Sequence, residues 1–226
     1  MPSKKKSDPK IVGAKTKFKK QVTESSRRYL RRQDKDVYTN MARDEGYRSR
    51  AAYKLIEINK KYDFLRNNMN IADLGCAPGS WCQVLNRTLL GNSHTIVAID
   101  KLPIDELANV NFVKGDFTKD EVYEELLALC PDGLDLVLSD IAPETTGHQN
   151  NDHLRSMALV ELAFDFAITT LKEDGVFLTK IFQGGEEVAL RDNMRKYFNK
   201  VAFVKPPSSR KESKEIFLIG IGFKGN

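Results

Sequence analysis

The chain reads as an α/β protein: a mostly parallel sheet of seven strands with helices on both faces and an antiparallel C-terminal strand. Three observations predict this. Seven short apolar runs alternate with segments of helical period. Residues 69–83 pass from an apolar run through Asp73, Gly75 and Gly79 into a helix beginning at Ser80, the pattern of a strand, a tight loop and a helix N-terminus. The last two apolar runs are joined by 205–213, which holds prolines, serines and charges but no helix, so they pair antiparallel.

Length and composition narrow the classes. At 226 residues, 41% of them hydrophobic, the chain can bury one good core and carry an appendage. No stretch approaches the roughly 18–20 consecutive apolar residues of a membrane span. The basic N-terminus lacks the apolar segment of a secretory signal, so a cytoplasmic location is expected. Three cysteines (Cys76, Cys82, Cys130) argue for reduced thiols, and they form no zinc pattern with His94, His148 and His153, so no metal is expected. The net charge of +5 is uneven: residues 1–34 hold 12 Lys and Arg against Asp8, Glu24 and Asp34, net +9, which leaves 24 against 28, net −4, for the rest. The division expected is a flexible basic arm, 1–34, that grips a polyanion, followed by one catalytic domain, 35–226.

After the Lys-rich leader, Tyr29, Arg31, Arg32, Tyr38 and Arg43 interleave aromatics with cations, which suits RNA or packing against the domain. Residues 49–62 turn helical, with Ala51, Leu55, Ile58 and Tyr62 on one stripe and Lys54 at its edge. Strands are expected near 69–74, 95–99, 111–114, 134–139, 175–181, 199–204 and 215–222. Helices are expected near 80–90, 119–129, 153–172 and 186–197. The helix from His153 carries a broad apolar face through Met157, Val160, Phe164 and Ala167, and should pack on the sheet.

In open parallel sheets ligands bind beyond the carboxyl ends of the strands. Asp73, Asp100, Asp116, Asp140 and Lys180 each stand at or just after such an end. The glycines of the first loop allow positive φ and close approach, and the helix N-terminus behind them favours a carboxylate or phosphate. Asp100, 25 residues beyond Gly75, sits where an acid accepts hydrogen bonds from a ribose diol. The loop reads Gly75-Cys-Ala-Pro-Gly79, not G-x-G-x-x-G, which favours a nucleoside without a pyrophosphate, with Asp116 toward an adenine amino group. S-adenosyl-L-methionine therefore fits better than NAD.

Several stretches now resemble the FtsJ family of RNA 2′-O-methyltransferases: Arg48 through Ile58, Asp73 through Trp81, Ser139-Asp-Ile-Ala-Pro143, Thr179-Lys-Ile-Phe-Gln-Gly184, and Lys205-Pro-Pro-Ser-Ser-Arg210 through Glu215. The resemblance spans about 27–223 and is closest to the bacterial branch that methylates a uridine ribose in 23S rRNA of the large ribosomal subunit. It implies a Rossmann-like methyltransferase fold, S-adenosyl-L-methionine as methyl donor, and a catalytic tetrad at Lys54, Asp140, Lys180 and Glu215. It also implies donor contacts at Gly79, Trp81, Asp100, Asp116 and Asp140, beside Asp73 and Gly75 of the loop. Trp81 is expected to pack behind the donor. Cys76, Ser80 and Glu144 depart from the family's usual residues, and Glu144 adds a negative charge beside the site.

The implied reaction is in-line attack of a ribose 2′ oxygen on a sulfonium methyl group. Lysine at its reference pKa of about 10.4 is a poor base at neutral pH, so Lys180 as base needs the like charge of Lys54 nearby. Asp140 and Glu215 then orient the two lysines. RNA is expected across the rim on Arg48, Arg50, Lys205 and Arg210, by phosphate contacts that position without specifying. A monomer is expected. The rival readings are tRNA or mRNA-cap methylation by the same tetrad, a non-catalytic assembly factor, and an NAD-dependent oxidoreductase.

Overall fold

The computed structural model describes residues 36–89, 94–143 and 149–225. The basic arm, Glu144 and His148 lie outside them. The elements are α1 Val37–Asp44, α2 Ala51–Tyr62, β1 Asn70–Leu74, α3 Ser80–Thr88, β2 Thr95–Asp100, β3 Val110–Lys114, α4 Asp120–Ala128, β4 Leu134–Ser139, α5 Gln149–Thr170, β5 Leu171–Phe182, α6 Glu187–Tyr197, β6 Phe198–Val204 and β7 Glu215–Phe223.

The seven strands form one sheet in the order β3-β2-β1-β4-β5-β7-β6. β1 to β5 run parallel, and β7 runs antiparallel to both β5 and β6. The strand order turns at β1, with β2 and β3 added on one side and β4 and β5 on the other, and such a switch point leaves a crevice beyond the strands' carboxyl ends.

Alternation along each strand sends neighbouring side chains to opposite faces. Ile71, Ile96, Ala98, Leu136, Leu138, Leu178, Phe217 and Ile219 pack with residues of α2 and α3 on one face. Ala72, Leu74, Val97, Ile99, Val137, Phe177, Ile181 and Leu218 pack with residues of α4, α5 and α6 on the other. Both faces are covered, which explains why the central strands read as continuous apolar runs. Phe164 of α5 stacks on Phe177 at 5.9 Å between ring centroids. A fully buried side chain of this size contributes about 1.5–3 kcal/mol.

Three elements differ from the sequence expectation. α1 is an additional helix, short and weakly apolar, in which only Ala42 is buried. The buried face of α2 is Ala52, Tyr53, Leu55 and Ile58, so the stripe is rotated from the one anticipated and Ala51 and Tyr62 are half-buried. β5 begins at Leu171, but its ladder with β4 is irregular after the Leu134–Leu171 pair and becomes regular only from Val176, with Asp174 at φ 62 in between. The expected start at 175 therefore marks the regular strand. Among the described residues no helix is long and apolar enough to cross a membrane, and no group of His, Cys, Asp and Glu is placed to hold a metal ion.

Candidate active site

The loop after β1 is built by two glycines and a clamp. Gly75 has φ +78. Its N–H and that of Cys76 donate to the Ile99 carbonyl at 2.8 and 3.1 Å, which folds the loop over the end of β2. A Cβ at this position would lie 2.9 Å from the Ile141 backbone nitrogen and Cα, so glycine is required by both conformation and space. Gly79, φ +96, caps α3. The Arg48 guanidinium braces the loop from outside, donating to the Pro78 carbonyl at 3.0 Å and the Glu106 carbonyl at 3.4 Å.

Asp73 lies beneath this loop with its side chain toward α3. It is fully buried, and Cys82 Sγ donates to its Oδ2 at 3.1 Å. Oδ1 has no hydrogen-bond partner among the described residues. Burial pushes the carboxyl up to about 7, against the lowering effect of the Cys82 contact. Asp73, Gly75, Cys76, Ser80, Trp81 and Asp140 surround a small recess under the loop.

Beyond the strand ends lies a cavity of about 320 Å³, bounded by Gly75, Asp100, Asp116, Phe117, Asp140, Ile141 and Leu159 among others. That is within the roughly 300–1,000 Å³ of small-molecule sites. Asp100 is held in place by its main chain surroundings: Ala77 N–H donates to Oδ2 and Leu102 N–H to Oδ1, each at 2.9 Å. One backbone donor per oxygen leaves acceptor capacity on both, the arrangement a cis-diol can use. Asp116 accepts from the Thr118 hydroxyl at 2.8 Å and pairs with Lys101 at 3.0 Å. Burial pushes its carboxyl up, but the Lys101 and Thr118 hydrogen bonds and the lysine charge outweigh this and hold it below the usual range. The donor set, two anchored carboxylates on an apolar-walled cavity reached by a glycine loop, fits an adenosine-type group.

Strand register and α2 bring Lys54, Asp140, Lys180 and Glu215 into two pairs. In the β5–β7 ladder Lys180 faces Phe217 and Phe182 faces Glu215. Alternation puts all four on the face covered by α2. Lys54 of α2 reaches over Phe217, its Nζ 5.6 Å from the ring centroid, and meets Glu215 at 2.8 Å to Oε1 and 3.0 Å to Oε2. Ser139 pairs with Thr179, so Asp140 follows β4 directly beside Lys180. Lys180 Nζ is 2.9 Å from Asp140 Oδ1 and donates to the Asp140 carbonyl at 2.7 Å. The result is two lysine–carboxylate pairs with side chains 8–18% exposed, shielded but open to a reactant. Asp140 belongs to both regions, since it lines the cavity and touches Lys180.

The other anticipated residues are placed as follows. Trp81 is buried, donates from Nε1 to the Ala51 carbonyl at 2.8 Å and tilts against Phe217 at 5.9 Å, so it backs the loop and the sheet. Arg48 is committed to the glycine loop. Arg50 bonds the Ser208 carbonyl, with burial and then the Arg210 charge depressing its pKa below the usual guanidinium value. Lys205 donates to the Ser213 carbonyl at 2.7 Å and is exposed, as is Arg210. His153 contacts Glu186. Lys101, Leu159 and Ser209 were not singled out from sequence. Only the strand-end position of Lys101, next to Asp100, signals its role there.

Among doubly wound sheets, an antiparallel β7 inserted between β5 and β6 beside a loop-bounded crevice is the arrangement of the Rossmann-like methyltransferases, and fold and cavity assign the chain to that class. Within it the chain belongs to the FtsJ-like methyltransferase family, whose model matches residues 47–223. It is 48% identical over 207 residues to a ribosomal RNA large subunit methyltransferase E of Brucella anthropi, covering 90% of this chain and 86% of that one. The enzyme of the same name from Bartonella tribocorum is 46% identical over 207 residues, covering 90% and 85%. A solved structure of a ribosomal RNA methyltransferase from Plasmodium falciparum superposes with a TM-score of 0.71 at 36% identity, over 80% of this chain and 100% of that chain.

Proposed function

We propose that this protein transfers a methyl group from S-adenosyl-L-methionine to the ribose 2′ oxygen of a uridine in 23S rRNA of the large ribosomal subunit, acting as a monomer in the cytoplasm. The observation that carries the reading is the double position of Asp140, one side on the cavity and the other on Lys180. A methyl donor in the cavity and Lys180 as base would then stand on either side of one residue. The names of the relatives support the ribosomal substrate.

The residues that would hold the donor are Gly75, Gly79, Asp100, Asp116 and Asp140, with Asp73 beneath and Trp81 behind the loop. Bound there, S-adenosyl-L-methionine supplies an electrophilic methyl group on a sulfonium that leaves as a neutral thioether. As the neutral amine, Lys180 takes the proton of the 2′ hydroxyl as that oxygen attacks, and becomes the ammonium that pairs with Asp140. Lys54 orients the oxygen. Asp140 and Glu215 hold the two lysines at fixed separations from the sheet. Much of the acceleration comes from alignment, which can contribute roughly 7–11 kcal/mol when two reactants are held in attacking geometry. RNA phosphates would lie along the exposed Lys205 and Arg210 and on the basic arm.

The test is a map of ribose methylation across total RNA from cells with and without the gene. A lost uridine mark in large-subunit rRNA supports the reading. A lost tRNA mark redirects it, and an unchanged map contradicts it.

A further inference from the structure

Residues 205–210, the first part of the 205–214 segment that joins β6 to β7, are pinned on both sides. Glu57 of α2 accepts the Ser208 N–H at 2.8 Å and, on its other oxygen, the Tyr38 hydroxyl at 2.9 Å. Arg50 donates to the Ser208 carbonyl, and Ser209 N–H closes a turn onto the Pro206 carbonyl at 2.9 Å. Ser209 is 6% exposed, and from this fixed backbone its hydroxyl reaches Glu215 Oε1 at 3.1 Å.

We propose that Ser209 is a positioning residue for methyl transfer: its hydroxyl fixes the Glu215 carboxylate so that Lys54 is held at the reacting oxygen. The proposal rests on the roles given to Lys54 and Glu215 above. Lys54 contacts both carboxylate oxygens, at 2.8 and 3.0 Å, but from the end of a long side chain with four rotatable carbons. The terminal torsion of Glu is broad, so one mobile partner does not define its orientation. A second donor on a rigid loop does. A neutral hydroxyl suits the task because it fills a lone pair without competing for the carboxylate's charge, which stays with the lysine.

The experiment compares Ser209→Ala, Ser209→Thr and Glu215→Ala with the wild type by steady-state methyl transfer to the RNA substrate. Ser209→Ala is expected to lower kcat about tenfold, the equivalent of one lost charge-assisted hydrogen bond, with KM for donor and RNA within about twofold. Ser209→Thr, which keeps the hydroxyl, should restore kcat. Wild-type kcat in Ser209→Ala while Glu215→Ala is impaired would overturn the proposal, as would a loss in Ser209→Ala that Ser209→Thr does not restore. Wild-type turnover in Glu215→Ala would instead overturn the underlying assignment of Glu215.

Discussion

Lys180 sets its Nζ 2.9 Å from Oδ1 of Asp140, yet its hydrogen bond, 2.7 Å long, goes to the main-chain carbonyl of the same residue. The carboxylate contact is electrostatic rather than directional, since Oδ1 makes no hydrogen bond among the described residues. Lys180 is thus tethered by backbone as well as by charge. Lys54 is held differently: among the described residues it meets two oxygens of Glu215 and no main-chain carbonyl. The two lysines are therefore anchored by different groups.

The glycine loop gives an ordered pair of outcomes. Gly75→Ala must place a Cβ 2.8–2.9 Å from Ile141, backbone atoms included, at φ +78. Gly79→Ala meets at 2.6 Å only the end of the Arg48 side chain, which can move, with Leu107 at 3.1 Å behind it. Chemical denaturation should show a loss of about 1–3 kcal/mol from the strained backbone in each, with Gly75→Ala the worse because Ile141 must also shift. Equal losses would contradict the steric account.

Asp73 predicts a pH dependence of stability. Its carboxyl rises from an ordinary value of 3.8 to about 7 on burial. Between those values the folded state binds more protons than the unfolded one, so the wild type loses stability as pH rises through that window. Asp73→Asn lacks this titration. Urea unfolding at intervals from pH 5 to 8 should show the variant gaining on the wild type as pH increases. A constant difference across that range would remove the buried acid from the account.

Arg48 was expected on RNA phosphates but is committed to the Pro78 and Glu106 carbonyls. Arg48→Met should therefore weaken donor binding by about threefold to tenfold, the range of one or two partly exposed hydrogen bonds, and change RNA affinity less. Titration calorimetry with the donor and filter binding with RNA separate the two. A selective loss of RNA affinity would return Arg48 to the phosphate role.

How far the site was legible in the sequence differs residue by residue. Asp100 and Asp140 could be read because a parallel strand's end is visible as an apolar run that stops, and the fold fixes where that end points. Lys54 and Glu215 could be ranked only as a set, since a lysine at the edge of a helical stripe and an acid opening a strand are common surface features. Their meeting depends on the β5–β7 register and the crossing of α2, which no local pattern encodes. The bracing contacts of Arg48 were hidden for the same reason: its partners are carbonyls 30 and 58 residues away, and main-chain acceptors leave no signature in composition. α1 escaped notice because Val37–Asp44 is eight residues long and buries one side chain.

The basic arm carries a salt-dependent prediction. Deleting residues 1–34, net +9, should weaken RNA binding and flatten the slope of log K against log salt, while donor affinity stays within about twofold. An unchanged slope would make the segment a leader without a grip on RNA.

The central claim is that Lys180 removes the 2′ proton beside a separately bound donor. Lys180→Ala, followed with tritiated S-adenosyl-L-methionine on the ribosomal RNA substrate and by calorimetry with the donor alone, tests it most directly. The account predicts donor affinity within about twofold of wild type and methyl transfer reduced by about 10²–10⁴-fold, the range of general base catalysis. Wild-type turnover by this variant would contradict it.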